Sequence, residues 1–366
     1  MEYLYGKLKT LEREEAPMEP GKRLEAVKGP VLDWYRKNRR ILPWREDATP
    51  YRVWISEIML QQTRVEAVKP YFARFMEALP DIKSLAEVEE ERLLKLWEGL
   101  GYYNRARNLQ KAAQCIMAEH DGRMPASYEA ILKLPGIGSY TAGAISSIAF
   151  GIAEPAVDGN VLRVMARLLA DREDILKAKT KKQYEALLRE HMEKRFPGEY
   201  NQALIELGAL VCIPSGRPLC EVCPMESLCL AKRGGLTGEI PVKAVKKPRR
   251  IEDKTIFVIE WEDRAAIRKR SAKGLLASLY EFPNADGHIK AEKAAETLGL
   301  SEKDIISTEM LPASVHIFSH VEWHMIGYRI RLSSEHPELF TMVKKEEIHS
   351  KYPLPNAFGV YTKALM

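Results

Sequence analysis

Four of the five cysteines fall between residues 212 and 229, spaced Cys212-x7-Cys220-x2-Cys223-x5-Cys229. Thiolates this close in sequence can close on one metal centre. In a reducing compartment such a cluster is more often a metal site than a pair of disulfides. A zinc ribbon usually offers two CxxC knuckles set further apart. Here there is one CxxC in a compact, all-cysteine loop, which suits an iron–sulfur cubane and leaves zinc as the alternative. Unrelated buried thiols are the competing reading, and the short spacing disfavours it. Cys115, alone in a helical stretch, reads as core.

Two carboxylates stand out next. Glu57 sits in the apolar run "VWISEIMLQQT", residues 53–63. On a helix its face neighbours are Val53, Trp54, Leu60 and Gln61, so it is either solvated at a helix edge or placed where water is scarce. An apolar pocket disfavours the charged form and makes a proton donor. Asp158 sits in "EPAVDGNVLRV", just before a helix. Asp there is an ordinary N-cap and Asp-Gly an ordinary turn. The helix dipole should keep this carboxylate ionised. Two carboxyls in unlike environments can serve as an acid and an anion. In "LPGIGSYTAGAI", residues 134–145, Gly136 and Gly138 free the backbone between two helices. Their amides, with the next helix start, could hold a phosphate oxygen; an ordinary αα-hairpin is the plainer reading.

Helical spacing runs through 29–232, interrupted by Gly and Pro. Residues 233–250 are basic, hold two prolines and have no periodicity, which reads as a linker that touches phosphates or simply stays solvated. From 251 to 366 the pattern is β, as in "KTIFVIEW", "AAIRKR", "IISTEM" and "IGYRIRL", with one helix, "AEKAAETLGL". Residues 1–28 are charged and read as an N-terminal extension. The whole has 366 residues, 46% hydrophobic, enough for two domains with their own cores. The net charge of +5 is compatible with a polyanion partner and does not demand one. No run is long and apolar enough for a membrane span. The start is too charged for a secretory signal, so a cytoplasmic protein is expected. His316, His320 and His324 would make a metal site only on a helix, and their flanks are β-rich.

A helical domain that ends in a four-cysteine loop resembles the endonuclease III superfamily of DNA glycosylases. In that superfamily the loop carries an iron–sulfur cluster and presents a basic residue to DNA, here Arg217. Its first interval usually has six residues; here it has seven. The resemblance makes "LPGIGSYTAGAI" a helix–hairpin–helix, with Gly136, Gly138 and Ser139 against DNA, and Asp158 the catalytic aspartate. Bifunctional members carry a lysine where this chain has Tyr140, which implies a monofunctional enzyme that uses water.

"LPWR" (42–45), "WISEIMLQQT" (54–63), "WEGLGYYNRARNL" (97–109), "AVDGNV" (156–161) and "ALIELGALVC" (203–212) are similar to adenine DNA glycosylases of the MutY type. "GLLASLYEFPN" (274–284) and "HIFSHVEWHM" (316–325) resemble that family's Nudix-like domain. The implied architecture is multidomain: an all-α helix–hairpin–helix glycosylase domain with an iron–sulfur cluster loop, and a smaller α+β Nudix-like domain. No glutamate-rich metal-binding helix is present, so that second domain should recognise rather than hydrolyse.

The implied activity is hydrolysis of adenine opposite 8-oxoguanine or guanine in double-stranded DNA. Glu57 would protonate adenine N7, and Asp158 with Tyr140 would stabilise an oxocarbenium ion. Asn160 would orient water or Asp158. Trp44, Arg45, Leu60 and Gln202 would line the adenine pocket. Gln62 would fill the gap, Thr63 would contact DNA, and Tyr102 would wedge. Phe318, Ser319 and His320 would read the oxidised guanine. Cys212, Cys220, Cys223 and Cys229 would hold one 4Fe-4S cluster. A nucleoid-associated monomer is expected. The competing functions are an endonuclease III-like glycosylase/lyase on oxidised pyrimidines, a non-catalytic iron–sulfur DNA binder, and a nucleotide hydrolase in the C-terminal domain.

Overall fold

A computed structural model describes residues 18–244 and 248–365. The chain forms two compact units. The first takes the described part of 1–41 with 138–244, and the second takes 42–137 with the described part of 245–366. The helical stretch is thus shared between the units.

In the first unit the opening helix spans Pro20–Asn38. It begins inside the segment read as an N-terminal extension. Leu24, Val27, Val31 and Tyr35 form its buried face and join one core with Val161, Val164, Tyr200 and Leu204. Pro30 lies inside the continuous helix. The helices Ser139–Phe150, Gly159–Leu169, Ala178–Glu190 and Pro197–Leu210 follow in this unit. Two glycines permit their close approach. A Cβ on Gly143 would lie 2.1 Å from the Pro155 carbonyl, and one on Gly198 would lie 2.8 Å from Ile148 Cα. The stretch after 233 is anchored rather than a free linker. Ile240 is buried in this core, and the Ile240 and Thr237 carbonyls accept from Arg167.

In the second unit the helix Pro50–Leu60 starts with Thr49 as cap and Pro50 at its first turn. It packs with Val65–Ala78, which packs on Glu90–Trp97, which in turn packs on Asn104–Glu119. Here Trp97 lies edge-on to Phe75, their ring centres 6.0 Å apart. Among the described residues the sheet has seven strands: β1 (Arg250–Trp261), β2 (Arg264–Lys269), β3 (Tyr280–Glu281), β4 (Asn284–Asp286), β5 (Ile305–Ile317), β6 (Val321–Leu332) and β7 (Thr341–Lys344). The order is β3-β2-β1-β6-β5, with β4 on β1 and β7 on β2. Only β1 and β6 run parallel among these pairs. One face buries Ile256, Val258, Trp323, Met325, Phe358 and Tyr361; the other buries Phe257, Ile259, Tyr328 and Ile330. Tyr361 packs against Gly327, where any Cβ would meet its ring at 2.3 Å. His316 lies on β5, His320 in the turn and His324 on β6, so the three histidines share a hairpin.

Candidate active site

Asp158 caps the helix Gly159–Leu169. Its Oδ1 accepts from the backbone N–H of Asn160 (2.9 Å) and Val161 (2.8 Å), and its Oδ2 accepts from Asn160 Nδ2 (2.7 Å). These donors and the Arg163 charge favour the carboxylate, as the helix start predicts. Burial acts against them and is the larger effect, so the Asp158 carboxyl lies above its ordinary value. The approach to Asp158 is held by Asn201, whose Oδ1 accepts from Ala156 N (3.0 Å) while its Nδ2 donates to Ser147 Oγ (2.7 Å) and the Glu154 carbonyl (2.8 Å).

Arg163 links this loop to the cysteines. Its Nη2 donates to Asn160 Oδ1 (2.9 Å) and the Gly208 carbonyl (2.7 Å), and its Nε donates to the Cys212 carbonyl (2.6 Å). One turn on, Arg167 Nη1 donates to Cys212 Sγ (3.3 Å), and Cys229 Sγ donates back to the Arg167 carbonyl (3.3 Å). All four thiols are free of disulfides and half-buried. Burial pushes Cys223 up to about 12, and its three neighbours Cys212, Cys229 and Cys220 push the same way. Among the described residues no three His, Cys, Asp or Glu side chains are grouped to hold a single ion.

At the hairpin, Gly136 has φ +75°, and a Cβ there would lie 2.5 Å from Asn108 Cβ. Gly138 does not need glycine's freedom: its φ is −100° and open space surrounds it. It starts the helix Ser139–Phe150, which has no side-chain cap. The Ser139 hydroxyl, expected at DNA, donates to Glu185 at 2.6 Å. Tyr140 is half-buried in that first turn. Gln202, expected at adenine, accepts from the Tyr35 hydroxyl (3.0 Å) and donates to the Gly198 carbonyl (3.3 Å).

The helix Pro50–Leu60 answers the question posed by Glu57. The residue is 8% exposed, so it is buried and not at a solvated edge. Its neighbours Val53 and Trp54 are buried with it, and Leu60 is half-buried. Trp44 is core, edge-on to Phe72 at 5.4 Å, and Arg45 beside it is half-buried.

The end of this helix and the Leu100–Tyr102 loop are held by one guanidinium. Arg105 Nη1 donates to the carbonyls of Ile58 (2.7 Å), Met59 (3.1 Å) and Gln61 (2.7 Å), and Nη2 to those of Leu100 (3.0 Å) and Gly101 (3.2 Å). Helix C-termini leave such carbonyls unpaired, and a cation there is doubly favourable. Burial lowers this guanidinium to about 10. Gln62 and Tyr102 follow the two braced segments. Both are exposed and both hold left-handed backbone conformations, φ +60° and +48°, costly for non-glycine residues and frequent at functional sites.

Gln62, Tyr102, Gly136, Phe318, Ser319 and His320 line one open cavity of about 1290 Å³. Thr63 stands beside it, its hydroxyl turned to the Gln61 carbonyl at 3.4 Å. The Phe318–His320 turn is closed by Phe318 N–H on the Val321 carbonyl (2.9 Å), and Arg249 Nε donates to the Phe318 carbonyl (3.0 Å). The Phe318 ring stands edge-on to Trp323 at 4.9 Å. Ser319 Oγ and His320 Nδ1 are 3.1 Å apart and exposed. Sequence reasoning missed Arg105, Arg163 and Asn201. Each works through backbone carbonyls or amides far away in the chain, and only an Arg beside "GLGYY" or in "NVLRV" could have hinted at it.

Residues 55–194 match the HhH-GPD superfamily of base excision DNA repair proteins, and residues 255–364 match the NUDIX domain. The solved structure of a thermostable thymine-DNA glycosylase superposes with a TM-score of 0.53 at 28% identity, over 58% of this chain and 98% of that one. The adenine DNA glycosylase of Homo sapiens is 35% identical, over 85% of this chain and 68% of its own. That of Buchnera aphidicola subsp. Acyrthosiphon pisum is 37% identical, over 82% of this chain and 85% of its own. The chain belongs to the adenine DNA glycosylase family. Among the described residues no helix is long and apolar enough to cross a membrane.

Proposed function

We propose that this chain is a monofunctional adenine DNA glycosylase that hydrolyses the N-glycosidic bond of adenine opposite 8-oxoguanine or guanine in duplex DNA. One contrast carries the reading: Glu57 is buried among apolar side chains, whereas Asp158 is fed by N–H donors. The stacked adenine must first leave the helix. Gln62 takes its space and Tyr102 wedges beside the opposite base; their exposure and left-handed backbone support these roles. The flipped adenine lies against Trp44, Arg45, Leu60 and Gln202.

Adenine leaves poorly as an anion. Apolar surroundings favour the neutral form of a carboxyl, and in this mechanism Glu57 is the group that gives a proton to N7. As the bond breaks, ionised Asp158 and the Tyr140 hydroxyl stabilise the cationic sugar, much as a glycosidase carboxylate does. Asn160 orients Asp158 through its 2.7 Å bond, and water completes the hydrolysis. Position 140 offers no amine, so no Schiff base forms and the strand stays intact. Ser319, with Phe318 and His320, reads the 8-oxoguanine edge.

Cys212, Cys220, Cys223 and Cys229 fit a 4Fe-4S cluster. Four free thiols lie near enough to perturb one another, and Arg163 and Arg167 lie beside them to offset thiolate charge. Such a cluster supplies a rigid cross-link for the loop. The enzyme works as a monomer on DNA in the cytoplasm, at the nucleoid.

Glu57→Gln and Asp158→Asn test the mechanism. Each should lower single-turnover adenine release roughly 10²–10⁴-fold, the usual weight of a positioned acid or base, while duplex binding persists. Near wild-type release by either variant would refute the two-carboxyl mechanism.

A further inference from the structure

Glu98 ends the helix Glu90–Trp97, four residues before Tyr102, and its carboxylate does not face water freely. Its Oε1 accepts from the backbone N–H of Leu354 (2.8 Å), and its Oε2 pairs with Lys95 Nζ (2.5 Å). Lys95 Nζ in turn donates to the Tyr352 carbonyl (3.0 Å). Acid and base together thus grip one backbone segment by an N–H and a carbonyl. Both side chains are mostly covered, 20% and 24% exposed for Lys95 and Glu98, so the grip is shielded more than a surface pair. Asn356 Nδ2 adds a contact to the Gly99 carbonyl (3.4 Å).

Each end of this grip leads to a different part of the cavity. Leu354 is 5% exposed and shares its core with Trp323 and Phe358. Trp323 supports the Phe318 ring, and so the Phe318–His320 turn. On the other side the chain from Glu98 to Tyr102 has little freedom. Gly99 has φ +100° and leaves no room for a Cβ, which would lie 2.0 Å from the Tyr71 hydroxyl, Gly101 has φ +70°, and Arg105 holds the Leu100 and Gly101 carbonyls. A shift of the 352–354 segment would therefore reach both the wedge and the recognition turn.

We propose that Glu98, steadied by Lys95, is a positioning residue for mismatch discrimination: it fixes the Phe318–His320 turn in register with the Tyr102 wedge. The inference rests on the adenine-opposite-8-oxoguanine reading above. It gives Glu98 no contact with substrate and no part in bond cleavage.

Single-turnover adenine release is measured on duplexes with A opposite 8-oxoguanine and A opposite guanine. Glu98→Ala should cut the ratio of the two rates about tenfold, a typical coupling between sites, by slowing the 8-oxoguanine substrate and leaving the guanine one nearly unchanged. Glu98→Gln keeps an acceptor for Leu354 N–H and should restore most of the ratio. Ser319→Ala added to Glu98→Ala should lower the ratio little further, since contacts in one network are not additive. Should Glu98→Ala fail to fold, Lys95→Met, which releases the Tyr352 carbonyl, should move the ratio in the same direction. Equal slowing of both substrates, an unchanged ratio, or full additivity with Ser319→Ala overturns the proposal. A wild-type ratio near one overturns the substrate reading, and this inference with it. A high wild-type ratio that the variants leave intact overturns this inference alone.

Discussion

Asn160→Ala should move the acid limb of the pH–rate profile upward. Asp158 has to be ionised to stabilise a cationic sugar. Its carboxyl already lies above its ordinary value because burial outweighs its donors. The donors are two backbone amides, which the substitution keeps, and Asn160 Nδ2 at 2.7 Å, which it removes. A hydrogen bond to a charged group is worth about 1.5–3 kcal/mol, and 1.36 kcal/mol is one pKa unit. Loss of a donor to the charged form raises the pKa further, so the limb should rise by roughly 1–2 units. Below the limb the rate should fall about 10–100-fold; above it much of the rate should return. Alanine suits the test because it keeps the Cβ that packs against Gly208, 2.5 Å from where a Cβ on that glycine would stand. The assay is single-turnover adenine release from acid to alkaline pH. A rate lost equally at every pH, or a limb that stays in place, would refute the view that Asn160 acts through the ionisation of Asp158.

Arg105→Met should take a donor from the carbonyls of Ile58, Gln61, Leu100 and Gly101; Ile58, Gln61 and Gly101 keep the Gln61 N–H, the Thr63 hydroxyl and Trp97 Nε1, so the loss falls most on Leu100. At about 1–3 kcal/mol for a buried group left unpaired, the melting temperature should fall by several degrees and base flipping should fail on every mismatch; an unchanged melting curve would contradict the bracing role. Gly136→Ala forces a side chain into a left-handed conformation and onto Asn108, so duplex affinity should fall for matched and mismatched DNA alike, and wild-type affinity would remove the hairpin from the DNA interface. Ser319→Ala should lower the preference for 8-oxoguanine over guanine opposite A while adenine release from the guanine mismatch continues; unchanged discrimination would end the recognition assignment.

What could be read from the sequence was chemistry confined to short segments. Asp158 precedes Gly-Asn and a helix, and its capping bonds follow from that alone. The cysteine spacing and the glycine hairpin are likewise local. The helix around Glu57 could be drawn from sequence, yet burial had to come from packing, and it decided between two opposite readings. The same force altered Asp158, whose desolvation has no local signature. The start of the helix Pro20–Asn38 was hidden by the charge of residues 1–28, because Leu24 and Val27 show as core only once the helix is packed. Strands β3, β4 and β7 are too short for a period of two to register. Least legible were side chains that bind distant backbone, such as Arg105, Asn201 and Glu98, since any residue type can supply a carbonyl or an amide.

The central claim is adenine release by water, without a lyase step. A duplex carrying A opposite 8-oxoguanine, labelled on the adenine strand and resolved on a denaturing gel with and without alkali, tests it most directly. The account predicts strand scission at the adenine only after alkali, with free adenine released in equal amount. Scission without alkali would mean an amine nucleophile and contradict the role given to Tyr140. An intact strand after alkali would mean that Glu57 and Asp158 do no chemistry on this bond.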